Sequence, residues 1–168
     1  MKIFCSTITI AVFLLICTNR MLAQSSQTKL NQVELMKQFV GSWKVEETKD
    51  TTFFWDAKSY GTGLEGNYKT VTLGKTVTEG KFLQGYDKKT DKSIYVELSS
   101  GMHQDVDINA TWFITKTKYK YIPLNDVSNY EKASYKIEGE FKSPDMFVET
   151  TIKNSKTTKI ETYTRINK

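Results

Sequence analysis

The sequence predicts an all-β fold, an antiparallel up-and-down barrel of about 8–10 strands with a short helix at its N-terminal end. Three observations predict it. From Trp43 onward, apolar residues recur at every second position, the period of a strand. Turn-forming stretches such as Gly74-Lys75, Asp87 to Asp91 and Ser143-Pro144-Asp145 separate these runs. No intervening run has the character of a crossover helix, so neighbouring strands must run antiparallel. An antiparallel sheet of this size exposes its edges unless it closes, and closure into a barrel removes them. A two-sheet sandwich is the competing architecture.

Residues 1–23 read as a signal peptide. Lys2 supplies a minimal basic start, Ile8 to Ile16 form an apolar run too short for a bilayer, which needs roughly 20 residues, and Ala23 offers a small residue for cleavage. Cys17 raises lipid attachment as an alternative, but bulky Ile16 stands where a small residue is wanted. The chain is therefore expected in the periplasm or outside the cell, with no transmembrane segment once the leader is gone. Both cysteines, Cys5 and Cys17, belong to the leader. The exported domain must then hold together without disulfides. Its length permits this: a domain of about 150 residues buries roughly 68–70% of its unfolded surface. Removing Lys2 and Arg20 with the leader takes the 24 Lys and Arg to 22 against 19 Asp and Glu, a net charge of +3. The charge is spread as single lysines along strands, without a block of like sign, which argues against nucleic acid as a partner.

Residues 24–32 read as a flexible tether and residues 33–168 as the barrel domain. Asn31 followed by Glu34 resembles a capping box. Val33, Met36, Phe39 and Val40 then share a helical face that should plug or cover something, and Gly41 ends the helix. Trp43 and Val45 open the first strand; Phe53, Trp55 and Ala57 alternate along the second. Tyr68 to Leu73 is short and ends at Gly74. Val77 to Tyr86, the turn at Asp87 to Asp91, and Ile94, Val96 and Leu98 make a hairpin. Val106, Ile108, Ala110, Trp112 and Ile114 form the clearest apolar alternation. Lys118 to Ile122 follows. After a loop, Ala133, Tyr135, Ile137, Gly139 and Phe141 alternate, then Met146, Val148, Thr150 and Ile152. The last strand runs from Thr158 to Ile166. Gly80, Gly85 and Gly139 inside strands suit the bends of a closing sheet.

Phe39-Val40-Gly41-Ser42-Trp43-Lys44-Val45 resembles the opening of the calycin superfamily, the lipocalins and intracellular fatty-acid-binding proteins, in which a short helix precedes a Gly-x-Trp on the first strand. Tyr163-Thr164-Arg165-Ile166 is similar to that superfamily's arginine-bearing last strand. Trp55-Asp56, Gly61, Gly85-Tyr86-Asp87 and Trp112 resemble exported bacterial lipocalin-like domains. The resemblance implies a ligand barrel closed at one end by Gly41, Trp43 and Arg165.

Arg165 is the only arginine outside the leader. It has two readings. As a structural clasp it lies across Trp43, a cation–π contact of about 0.5–2 kcal/mol. As a ligand anchor it points into the cavity with Tyr163 and pairs with a carboxylate, which its planar fork suits. Polarity would turn Ile160, Thr162, Thr164 and Ile166 inward, whereas the resemblance turns Glu161, Tyr163 and Arg165 inward. Trp55, Trp112, Tyr95, Tyr135, Phe82 and Phe141 either line a pocket or fill a solid core; inward polar residues would favour the pocket.

His103, Asp105 and Asp107 share one face and have metal-capable side chains, and His103 could also ligate haem, but they follow the turn Ser99-Ser100-Gly101, where charged side chains are ordinary solvated decoration. No metal and no cofactor is expected. Motifs of serine, cysteine, phosphate-loop and zinc enzymes are absent from the sequence. Carboxylates at Glu47, Asp56, Glu65, Glu97 and Glu161 are too common on strands to signal catalysis. The expected function is non-enzymatic binding of a small apolar or amphipathic ligand by Trp55, Trp112, Tyr135, Tyr163 and Arg165. The alternative is a solid barrel that interacts with proteins or surfaces through its outer face.

Overall fold

The computed structural model describes residues 29–100 and 106–166. Residues 1–23, read from the sequence as a leader, and His103 and Asp105 lie outside the described residues. A short helix, α1 (Gln32–Met36), runs into a 3-10 turn (Lys37–Phe39). The strands are β1 (Gly41–Thr48), β2 (Thr51–Tyr60), β3 (Gly63–Thr72), β4 (Lys75–Asp87), β5 (Lys92–Ser100), β6 (Val106–Phe113), β7 (Lys118–Pro123), β8 (Tyr135–Ser143), β9 (Met146–Lys153) and β10 (Lys156–Arg165), with a 3-10 segment (Leu124–Lys132) between β7 and β8. Each strand pairs antiparallel with its neighbours in sequence, and β10 returns to β1, closing a ten-stranded barrel. The sandwich is thereby excluded.

α1 begins at Gln32, one residue before the first apolar position of its face, Val33. Asn31 caps it, its side chain accepting the Glu34 backbone N–H at 3.2 Å, but the Glu34 carboxylate turns to Lys37 at 2.7 Å, so half of the expected capping box is in use. Gln32, assigned to the tether by sequence, is the first helical residue and is buried. Its side-chain amide donates to the Phe113 carbonyl at 3.0 Å and accepts the Phe113 N–H at 2.7 Å. This amide pairs with the backbone of β6 as a strand would, and it ties the helix to the barrel end.

The helix seats Phe39 as a plug. Its ring lies 4.9–6.0 Å from the rings of Trp55, Phe113, Tyr119, Phe141 and Phe147, in the edge and tilted arrangements that aromatic quadrupoles favour. Trp43, fully buried, donates its indole N–H to the Phe39 carbonyl at 2.9 Å.

The β1–β10 seam is short: Trp43 faces Arg165 and Lys44 faces Thr164. Arg165 reinforces it. Its guanidinium carbon stands 4.1 Å from the Trp43 ring centre. Its N–H groups donate to the carbonyls of Val40, Gln38 and Pro144, and Asp145 pairs with it at 3.1 Å. Gly41 makes room for this fork. Its φ is +128°, and a Cβ there would sit 2.1 Å from an Arg165 nitrogen. Gly41→Ala is expected to lower stability by about 1–3 kcal/mol, read as an earlier urea midpoint with an unchanged slope. A midpoint equal to wild type would show that the clasp is not tight.

Which face of each strand looks inward differs from the apolar pattern on four strands. β1, β2 and β8 turn Trp43, Val45, Phe53, Trp55, Ala57, Ile137 and Phe141 inward, as expected. On β6 the buried inward residues are Asn109, Thr111 and Phe113, while Val106, Ile108 and Ile114 are exposed. Ala110 and Ile122, paired across β6 and β7 on the outer face, are buried because the 3-10 segment Leu124–Lys132 packs against those two strands. On β5, Ser93 and Tyr95 face inward and Leu98 is exposed; on β9, Phe147, Glu149 and Thr151 face inward; on β10, Tyr163 is buried and Ile160 is 66% exposed. The conflict on the last strand resolves toward Glu161, Tyr163 and Arg165 facing inward.

Candidate functional site

A cavity of about 180 Å³ lies above the Phe39 plug, lined by Phe39, Phe53, Trp55, Gln84, Tyr95, Thr111, Tyr119, Tyr121, Ile137, Phe147, Glu149 and Tyr163. It is open at the end away from Arg165. The size sets the scale of an occupant. An apolar cavity of about 150 Å³ holds one benzene ring, whereas pockets for drug-sized ligands run to about 300–1,000 Å³.

The strands place the aromatic walls by register. Phe147 on β9 pairs with Tyr163 on β10, and their rings stack 4.4 Å apart. Trp55 on β2 lies 5.4 Å from Phe82 on β4, which stacks on Tyr95 of β5 at 5.2 Å. Tyr95 in turn meets Tyr121 of β7 at 6.0 Å.

Among the described residues lining the cavity, one carries a charge. Glu149 on β9 reaches in beside the rings, and the Tyr119 hydroxyl donates to its carboxylate at 2.7 Å. Gly139 makes that bond possible. It lies beneath the Tyr119 ring, where a Cβ would be 2.0 Å from a ring carbon. The Tyr163 hydroxyl also bonds the same carboxyl. Burial raises the Glu149 carboxyl to about 7; the Tyr119 bond opposes this and the nearby Glu161 charge adds to it. Burial likewise pushes the Tyr119, Tyr163 and Tyr95 phenols well above their usual range, so these hydroxyls act as donors at neutral pH.

Charged groups collect at the open end. Lys159 of β10 bridges Glu47 of β1 at 2.7 Å and Glu161 at 2.8 Å. Glu97 on β5 is held above the usual carboxylate range, chiefly by burial and further by Asp107, against the Tyr95 bond.

The sequence-derived residues separate into three places. Trp55 and Tyr163 line the cavity. Tyr135 lies on the inward face of β8 nearer the rim, outside the cavity wall, where burial first and then the Glu149 charge push its phenol to about 12. Arg165 and Gly41 lie at the closed end around Trp43, and all three are outside the cavity lining. The ligand-anchor placement of Arg165 is thus corrected: its donors already serve backbone carbonyls. Trp112 is also corrected. Because Phe113 is pinned inward by Gln32, Trp112 must face out, where Lys92 lies 4.8 Å above its ring and Tyr130 packs 5.7 Å away.

Glu149, Tyr119 and Tyr121 were missed. The sequence treated Met146, Val148, Thr150 and Ile152 as the meaningful face of β9. Counting back through the turn at Asn154-Ser155 was the available signal. Once Tyr163 faces inward, its hairpin partner Phe147 does too, and Glu149 follows two residues on.

No family model matches the chain, and no curated protein matches it.

Proposed function

We propose that the protein is an exported, lipocalin-like barrel that binds a small hydrophobic or amphipathic ligand in the cavity above Phe39, as a carrier and not as an enzyme. The observation that carries this reading is the open, aromatic cavity with a single charged lining residue. Export rests on the leader read in the sequence, and the lipocalin likeness on Gly41-Ser42-Trp43 and Arg165. The inward polar residues Gln84, Ser93, Asn109, Thr111 and Thr151 support a hollow interior, because a solid core rejects such groups. The driving force would be burial of apolar ligand surface, at about 25 cal/mol per Å². The volume favours single-ring molecules over retinoids and tetrapyrroles. A panel of lipids, retinoids, tetrapyrroles and single-ring amphiphiles, followed by tryptophan fluorescence, tests it. Saturable one-to-one binding confined to the small members is expected; absence of saturable binding to every class would remove the proposal.

One observation favours a second reading. On the outer face of β4, β5 and β6, Leu83 pairs with Val96, Val96 with Ile108, and Leu98 with Val106. Leu83, Leu98, Val106 and Ile108 are exposed, Leu98 by 58%. A contiguous apolar patch of this kind marks interaction surfaces. In that reading the barrel presents this face to another surface, and the cavity is incidental.

A further inference from the structure

An arginine pointing into the cavity would suit a ligand carboxylate. The cavity has the opposite polarity. Its charged lining residue is Glu149, and Arg165 is engaged at the closed end by the Val40, Gln38 and Pro144 carbonyls and by Asp145. From the geometry of this carboxylate among aromatic rings, we infer that the ligand's polar end is an organic cation, a small ammonium carried on about one ring or a short alkyl chain. The inference rests on the ligand-carrier reading above.

Three features carry it. The first is the carboxylate's remaining acceptor capacity. A carboxylate offers about four lone-pair sites; the Tyr119 and Tyr163 hydroxyls occupy two and face it as donors. Above pH 7 a ligand carboxylate placed there would meet like charge, while an ammonium N–H finds an acceptor already held in position. The second is the wall. Trp55, Tyr95, Tyr121, Phe147 and Tyr163 present rings to the same small space, and ring faces attract cations, quaternary ammonium ions above all. The third is the charge at the rim. Glu47, Glu97, Asp107 and Glu161 face the open end against Lys153 and Lys159. Among the described inward-facing rim groups carboxyls outnumber lysines four to two, which favours a cation over an anion on approach.

The groups facing Glu149 fix the pH behaviour. From β10 they are Tyr163, Glu161 and Lys159; from β7, Tyr119 and Tyr121; from β8, Tyr135. Glu97, Tyr95, Asp107 and Glu47 stand further round the wall and rim. The tyrosines stay protonated, so in the cavity wall the Glu149 carboxyl is the group that titrates below pH 8. Burial holds the Glu149 proton up to about pH 7, and a cation must displace that proton to bind. Cation affinity should therefore climb as pH rises from 6 to 8, with proton release at the lower end.

Isothermal titration with three size-matched probes tests this: phenethylammonium, 2-phenylethanol and phenylacetate. At pH 8 phenethylammonium is expected to bind at least tenfold more tightly than either of the others. At pH 6 its binding should weaken several-fold, and its heat should differ between buffers of different ionisation enthalpy, which reports the released proton. Glu149→Gln keeps an acceptor for Tyr119 and should erase both the preference for phenethylammonium over 2-phenylethanol and the buffer dependence. The wild-type proton release answers the question even if that variant folds poorly. Equal binding of alcohol and amine, or preference for phenylacetate, overturns the inference and leaves the carrier reading standing. No binding of any of the three overturns both.

Discussion

Trp43→Ala is expected to remove about 3–5 kcal/mol of stability, the largest effect of any single substitution considered for this barrel. The indole is fully buried and donates to the Phe39 carbonyl at 2.9 Å. It lies 4.8 Å from the Phe147 ring and 4.1 Å from the Arg165 guanidinium carbon. Alanine there would leave a cavity under the plug, an orphaned carbonyl at the end of the helix, and Arg165 without its ring. Domains of this kind hold about 5–15 kcal/mol in total, so the loss is roughly a fifth of the whole at the least. It should appear as a fall in Tm of about 10 °C or more. Trp43→Phe keeps most of the ring packing and should cost about 1–2 kcal/mol, chiefly the lost hydrogen bond. Urea unfolding of both variants measures this. A Trp43→Ala protein within about 1 kcal/mol of wild type would mean that the closed end is held by something other than the helix, Trp43 and Arg165.

The second large effect is a dependence of stability on pH. Glu149 titrates at about 7 in the folded barrel against an ordinary value of 4.5. The folded state therefore holds this proton more tightly than the unfolded chain. That contribution is fully present below pH 4.5 and is lost as pH rises through 7. At about 1.4 kcal/mol for each tenfold, the loss amounts to about 3 kcal/mol between pH 4.5 and pH 8. Glu97, also raised by burial, acts in the same direction. Asp87, Asp91 and Glu140 are lowered and act oppositely, but their windows lie at and below the ordinary values of 3.8 for the aspartates and 4.5 for the glutamate. Wild-type Tm is therefore expected to fall by roughly 5–10 °C from pH 5 to pH 8.5. Glu149→Gln, with nothing to ionise at that position, should lose most of this slope and be the more stable protein at pH 8.5. Calorimetry at the two pH values decides it. An equal fall in the variant, or a wild-type Tm that rises with pH, would show that Glu149 is ionised at no cost.

A stability deficit at neutral pH is informative about function. Proteins commonly give up stability at functional sites and recover it elsewhere. Here the recovery is visible in the closed end, where Phe39, Trp43, Phe141 and Phe147 pack together and Arg165 satisfies the ends of the helix and of the β8–β9 turn. One end of the barrel is closed and dense. The other carries the cavity, the buried carboxyl and the charged rim.

The strands and their antiparallel order were legible because a period of two is a local property. Asn31 as a helix cap and the Gly41 hinge were legible for the same reason. Which face turns inward was legible only where the inside is apolar, as at Trp43, Trp55 and Phe141. It was misread on β5, β6, β9 and β10 because two exceptions act together there. A hollow barrel wants some polar inward residues, as Asn109, Thr111 and Glu149 are. Its outer face also hides Ala110 and Ile122 under a 3-10 segment that has no apolar periodicity of its own. Trp112 was drawn into the site by this reversal, and Glu149 was hidden by it. Register, a long-range property, settles both. Phe147 opposite Tyr163 fixes β9, and the Gln32 amide on Phe113 fixes β6. The double reading of Arg165 was resolved by carbonyls contributed from residues 127 and 21 positions away, which no local pattern encodes.

The most direct measurement is an amide and indole NMR map of isotope-labelled protein titrated with the small-molecule extract of its own host. A carrier should show perturbations gathered on Trp55, Thr111, Phe147, Glu149 and Tyr163, saturating together, with Leu83, Leu98 and Ile108 unmoved. Shifts confined to the outer face of β4, β5 and β6, or a spectrum that no extract changes, would contradict a cavity that carries cargo.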